Sequence, residues 1–194
     1  MSERLSEDVQ RHLSDMLAVD GHILEAIERQ RQDERVREHV DTNRVLIEIE
    51  RVLGEHVRAL ESLADTYGAK GQSTLKRAVT EALGFVAGLY DKMRDHTLSR
   101  MLRDDYAAIS LAAMSYTALH AFGLAVREQR IADLALRHLH DYTGILIEIS
   151  RVLPEVVVEE VADEVGGQVD AMAGRNAVAN TQRAWEVGAA TRVP

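Results

Sequence analysis

Residues 45–55, VLIEIERVLGE, return at 145–155 as ILIEISRVLPE, with eight of eleven positions identical. Upstream, Arg37 and Asp41 align with Arg137 and Asp141. An internal repeat constrains the fold more than any single residue does. Its period of one hundred residues is too long for a solenoid or a propeller, and points to a duplicated larger unit. Each copy closes a long helical pattern, so the unit reads as a helix pair. Two such pairs make an all-α four-helix bundle with an approximate internal two-fold.

Composition agrees with helices. Two prolines and 4% aromatic residues, beside abundant Ala, Leu, Val, Glu and Arg, disfavour a β-sandwich. At 194 residues the chain is long enough to bury a core, and 28% charged against 46% hydrophobic residues is a globular balance. The net charge of −9 argues against a non-specific nucleic-acid binder, which needs a basic surface. With no cysteine, disulfides, thiolate ligands and cysteine catalysis are excluded. The opening MSERLSEDVQ has no apolar run like that of a signal peptide, so the expected location is cytoplasmic.

Periodicity predicts a first helix over about 6–35 and a second over about 38–67, ending at the Gly-Ala-Lys-Gly break. Leu75, Val79, Leu83, Val86 and Tyr90 predict a connecting helix over 73–93. The next helix, about 98–127, carries no Asp, Glu, Lys or Arg from Tyr106 to Val126, a length that could span a bilayer. Ser110, Ser115, Tyr116, Thr117 and His120 interrupt that run, and alanine dominates the rest. A buried bundle helix or a subunit interface is the expectation, with no membrane partner. The last long helix starts near Gln129 and is expected to bend or end near Pro154. The expected bundle covers 1–165, and 166–194 form an Ala/Gly-rich tail, loosely attached, with one short helix near Trp185.

His12–Asp20, HLSDMLAVD, resembles the first-helix motif of the YciE/YciF-type ferritin-like stress proteins, in which Leu-Ser-Asp precedes a metal-binding glutamate. Asp20 takes that glutamate's place. His39–Leu46, HVDTNRVL, resembles the family's second-helix stretch, with Asp41 on its Glu and Arg44 on its His. Arg103-Asp104 resemble the opening of its third helix; Ser115 and Ala118 then fall on two glutamates and Gly123 on a glycine. Asp141 falls in its last acidic cluster. The resemblance spans about residues 10–155 and implies a ferritin-like bundle.

The departures bear on function. A di-iron centre in such a bundle takes a glutamate from each of two helices and a Glu-x-x-His pair from each of the others. Here the counterparts are Asp41-x-x-Arg44 and Asp141-x-x-Gly144, and Ser115 and Ala118 supply no charge. A conventional di-iron centre is not expected.

Asp20 nevertheless lies mid-face among Leu13, Met16, Leu17, Ile23 and Ile27, where a buried carboxylate needs a donor, a cation or a proton. His138 is similarly central among Ile131, Leu134 and Ile145, with Asp141 towards the edge of that face. His56 falls on the face of Ile49 and Leu63. For each such histidine a satisfied core residue is the plainer reading.

Two functions follow. The first is a ferritin-like bundle without its metal centre or any cofactor, acting as a non-enzymatic structural, binding or stress-associated homodimer or larger homo-oligomer. The alternative is a redox or storage protein using an altered site of Asp20, His138 and Asp141, with His120 as a further candidate member, holding iron or manganese.

Overall fold

The computed structural model describes residues 3–67 and 97–190, and among these every regular element is a helix. The predicted helix over 73–93 lies outside the described residues. In chain order the helices are α1 (Glu3–Gln30), α2 (Glu34–Glu38), α3 (Val40–Thr66), α4 (Leu98–Ala125), α5 (Gln129–Val165) and α6 (Ala173–Ala190).

Three predicted boundaries change. The first helix stops at Gln30, and a separate short helix follows because Asp33 caps it, its carboxylate accepting from the Arg35 N–H at 2.9 Å. Pro154 does not end α5, which continues to Val165. Proline removes one ladder hydrogen bond at a cost of about 3 kcal/mol. Val152 and Val156, buried on either side of it, anchor the helix across the break. The helix stops instead at Gly166, whose φ of 74° only glycine adopts freely. Finally, the helix expected near Trp185 is the 18-residue α6, which packs on α5 where Gly174 is buried against Glu155.

Side-chain contacts give the directions of the four long helices. Between α3 and α5, His39 meets Glu159 at 2.8 Å, Arg44 meets Glu148 at 2.6 Å and His56 meets Asp141 at 3.0 Å, so the pair is antiparallel. Between α1 and α4, Gln30 donates to Asp105 at 2.8 Å and Tyr116 to Asp20 at 2.5 Å, again antiparallel. Gln10 of α1 and Arg31 just beyond its end reach Tyr67 and Glu50, while Ser99 and His120 of α4 reach Glu160 and Ala132. Each helix pair is therefore a hairpin, and the order is up, down, down, up. Tyr67 and Thr97 consequently stand at opposite ends of the bundle.

The repeat lies at the centre of this arrangement. Its two copies run side by side in opposite directions on α3 and α5, as a two-fold between them requires. Val45 and Ile145, Ile49 and Ile149, and Val52 and Val152 are buried pair by pair. Arg51 pairs with Glu48 and Arg151 with Glu148, so even the surface ion pairs repeat.

Helix α4 is the one helix among the described residues long and apolar enough to cross a membrane, by length and composition. Its inward residues, including Leu102, Ala108, Ile109, Ala112 and Tyr116, belong to the common core. Its outer face keeps Met114 and Leu124 exposed beside Ala107, Ala118 and Ala121.

The turn from α4 to α5 depends on a close approach. A Cβ at Gly123 would stand 2.6 Å from the backbone nitrogen of Ala132, and backbone cannot swing aside as a side chain can. Gly123→Ala is expected to lower stability by about 1–3 kcal/mol through this overpacking. Urea denaturation reads the effect, and an unchanged midpoint would rule out so tight a crossing.

Candidate metal centre

All four long helices contribute to one buried polar cluster. Asp20 of α1 is wholly buried; its Oδ1 accepts from the Tyr142 hydroxyl at 2.7 Å and its Oδ2 from the Tyr116 hydroxyl at 2.5 Å. Both tyrosines are themselves fully buried, on α5 and α4. His56 of α3 and His138 of α5 are buried beside them, their rings stacked with centroids 3.6 Å apart and planes within 6°. Tyr116 and Tyr142 enclose the stacked pair edge-on.

Burial sets the protonation of this cluster. It pushes the Asp20 carboxyl up to about 7, although the two tyrosine hydrogen bonds pull the other way. It draws His138 down to about 3, with the neighbouring His56 and Arg137 adding to the effect. His56 is also lowered by burial, opposed by its hydrogen bond to Asp141. Both tyrosines are raised well above their ordinary value by burial and by the charge of Asp20.

The cluster leaves valences open. Asp141 binds His56 Nε2 at 3.0 Å, and a carboxylate only accepts, so that nitrogen carries the hydrogen. The lone pair of neutral His56 is then on Nδ1, which lies 3.9 Å from Asp20 Oδ2. Neither His56 Nδ1 nor His138 Nδ1, both buried, has a hydrogen-bond partner among the described residues. Buried polar atoms rarely stay unpaired. One ligand atom from each of Asp20, His56 and His138 lies within 4.8 Å of the others, the only such group among the described residues. Two imidazoles and a carboxylate form a donor set suited to a borderline divalent ion, leaving positions open for exogenous ligands. Asp141 holding the far nitrogen of His56 is the usual outer support of a ligating histidine.

Of the residues singled out in the sequence, Asp20 and His138 meet here. Asp141 reaches the cluster through His56 while its side chain stays 52% exposed. His120 is elsewhere, its Nδ1 at 2.8 Å from the Ala132 carbonyl. The other positions named by the resemblance do not converge. Arg44 pairs with Asp41 and Glu148 at the surface, Ser115 donates to the Leu111 carbonyl, and Ala118 is exposed.

His56, Tyr116 and Tyr142 are the members that sequence reasoning left out of the site. A signal existed in the repeat itself: one hundred positions away, His56 corresponds to Val156, Tyr142 to Thr42 and His138 to Glu38. The copies agree along their shared apolar face and part where the cluster forms.

Comparison with known protein families, with curated proteins and with solved structures finds no match to this chain.

Proposed function

We propose that this chain is a ferritin-like bundle that binds one divalent transition-metal ion per chain through Asp20, His56 and His138. The observation that carries the reading is the pair of buried, partnerless imidazole nitrogens beside a buried carboxylate. The up-down-down-up order of the four long helices supports the ferritin-like part. Asp141 orients His56, and the tyrosine hydroxyls fix the Asp20 carboxylate. Two imidazoles favour iron(II) or zinc over manganese, which prefers a set of oxygen donors. When bound, such an ion would supply Lewis acidity and, if it is iron, one-electron chemistry; the protein supplies a buried, aromatic enclosure.

The test is calorimetric titration of zinc(II), anaerobic iron(II) and manganese(II) into chelator-treated protein. One ion per chain is expected, lost in His56→Ala and in His138→Ala. Two ions per chain would revive a dinuclear reading, and no uptake by the parent protein would reject the centre.

A second reading rests on a different observation, the uncharged outer face of α4 with Met114 66% exposed. That face suits a cytoplasmic homo-oligomer whose role is structural or stress-associated. Sedimentation distinguishes it: only a 21.6 kDa species at micromolar concentration would remove it.

A further inference from the structure

The metal ligands are closed off from solvent, which raises the question of how an ion reaches them. Asp20, His56 and His138 are all buried, and so are the tyrosines beside them. Among the described residues hydrogen-bonded to Asp20, His56 or His138 through their side chains, Asp141 alone is substantially exposed. Asp141 stands on the wall of a groove of about 650 Å³ between α3 and α5, with Arg44, Glu48, Arg51, Gly144 and Glu148 among its other lining residues. The arginines are already committed to carboxylates: Arg44 to Glu148, Arg51 to Glu48 and Glu55. They leave Asp141 as a carboxylate facing both the groove and His56.

The opposite side of the bundle offers a smaller depression of about 210 Å³ between α1 and α4, lined by His12, Asp15, Ser115 and Ala118. Its floor is apolar. Met16, Val19 and Leu119, all buried, form the rest of its lining. A cation leaving the polar rim there would have to cross this apolar floor, losing hydration on the way.

We infer that the groove between α3 and α5 is the passage by which a divalent cation enters and leaves the buried centre, with Asp141 as the group that first receives it. The inference rests on the reading that Asp20, His56 and His138 bind an ion. Asp141 touches both sides of the barrier, with its carboxylate in the groove and its hydrogen bond on His56. Breaking that hydrogen bond frees the His56 ring to turn, so the same contact that orients the ligand also keeps the passage shut.

Gly144 allows a direct test. It lines the groove beside Asp141, and a Cβ built on it meets nothing within 4 Å, so a larger side chain enters open space. Replacing a mid-helix glycine also favours the helix, which protects the variant from misfolding. Zinc(II) uptake is followed by stopped flow and its release by chelator competition, in the parent protein, Gly144→Phe, Asp141→Asn and Ala118→Phe. Obstruction of a passage changes both rates and leaves their ratio alone. Gly144→Phe is therefore expected to slow uptake and release together, about tenfold or more, with affinity unchanged. Asp141→Asn keeps an acceptor for His56 but not the charge, so uptake should slow and lose salt dependence. Ala118→Phe, at the opposite depression, should behave as the parent does. If zinc binds and Gly144→Phe exchanges it at the parental rates, or if Ala118→Phe is the slow variant, the passage is misplaced. A fall in affinity without slower uptake in Gly144→Phe would mean distortion of the site and would equally overturn it. If the parent protein takes up no zinc, the metal-centre reading itself fails.

Discussion

Freed of metal by chelation and held at pH 8, Asp20→Asn is expected to be more stable than the parent protein. The Asp20 carboxyl is wholly buried and is pushed from 3.8 up to about 7. Keeping it ionised inside the fold above that pH therefore costs about 4 kcal/mol relative to the unfolded chain. Asparagine has no charge to bury. Its carbonyl accepts from one tyrosine and its amide donates to the oxygen of the other, whose own O–H then loses its acceptor. A gain of about 1–3 kcal/mol in urea denaturation is expected, less than the full penalty because an amide fits the two hydroxyls less well than a carboxylate does. Saturating zinc should reverse the order. It stabilises whatever binds it, by about 4 kcal/mol at a thousandfold excess over Kd, and the amide has lost a ligand. If the variant is less stable than the parent both with and without metal, Asp20 is an ordinary structural carboxylate.

The second expected result is a flat pH profile that a single substitution tilts. His138 titrates near 3 in the fold, from an ordinary 6.5. As pH falls below 6.5 the unfolded chain takes up that proton while the folded chain does not, so stability is lost down to about pH 3. Asp20 works the other way. Between about 7 and 3.8 the folded chain takes a proton that the unfolded chain refuses, so stability rises as pH falls.

In metal-free parent protein the two contributions nearly cancel between pH 6.5 and 4, with His56 adding to the histidine side. Asp20→Asn removes the compensation, and its stability should fall by roughly 3 kcal/mol across that window. His138→Phe removes the main opposing contribution and should show stability rising on acidification from pH 7. Parallel profiles for the three proteins would show that these groups do not exchange charge with burial as described.

Most of the architecture was legible from periodicity. The four long helices, the break after Thr66 and the start of α5 follow from apolar spacing, and the repeat pairs α3 with α5. Mid-face polarity also marked Asp20 and His138. What periodicity does not carry is which faces meet. Tyr116 read only as one interruption of an apolar stretch, and His56 as one more core histidine. Their convergence depends on the level at which antiparallel helices align, set by interdigitation across four faces. Pro154 shows the converse: a strong local signal, overridden because valines on both sides of it are buried.

Each hairpin holds only part of the centre. Asp20 and His56 come from α1 and α3, while His138 and both tyrosines come from α4 and α5. Asp20 and His138 are 118 positions apart, yet a single cation would touch both. Bound there, an ion is a clasp between two halves of the chain rather than an ornament on one. Its removal would slacken the seam between the hairpins first, leaving each hairpin's own packing in place.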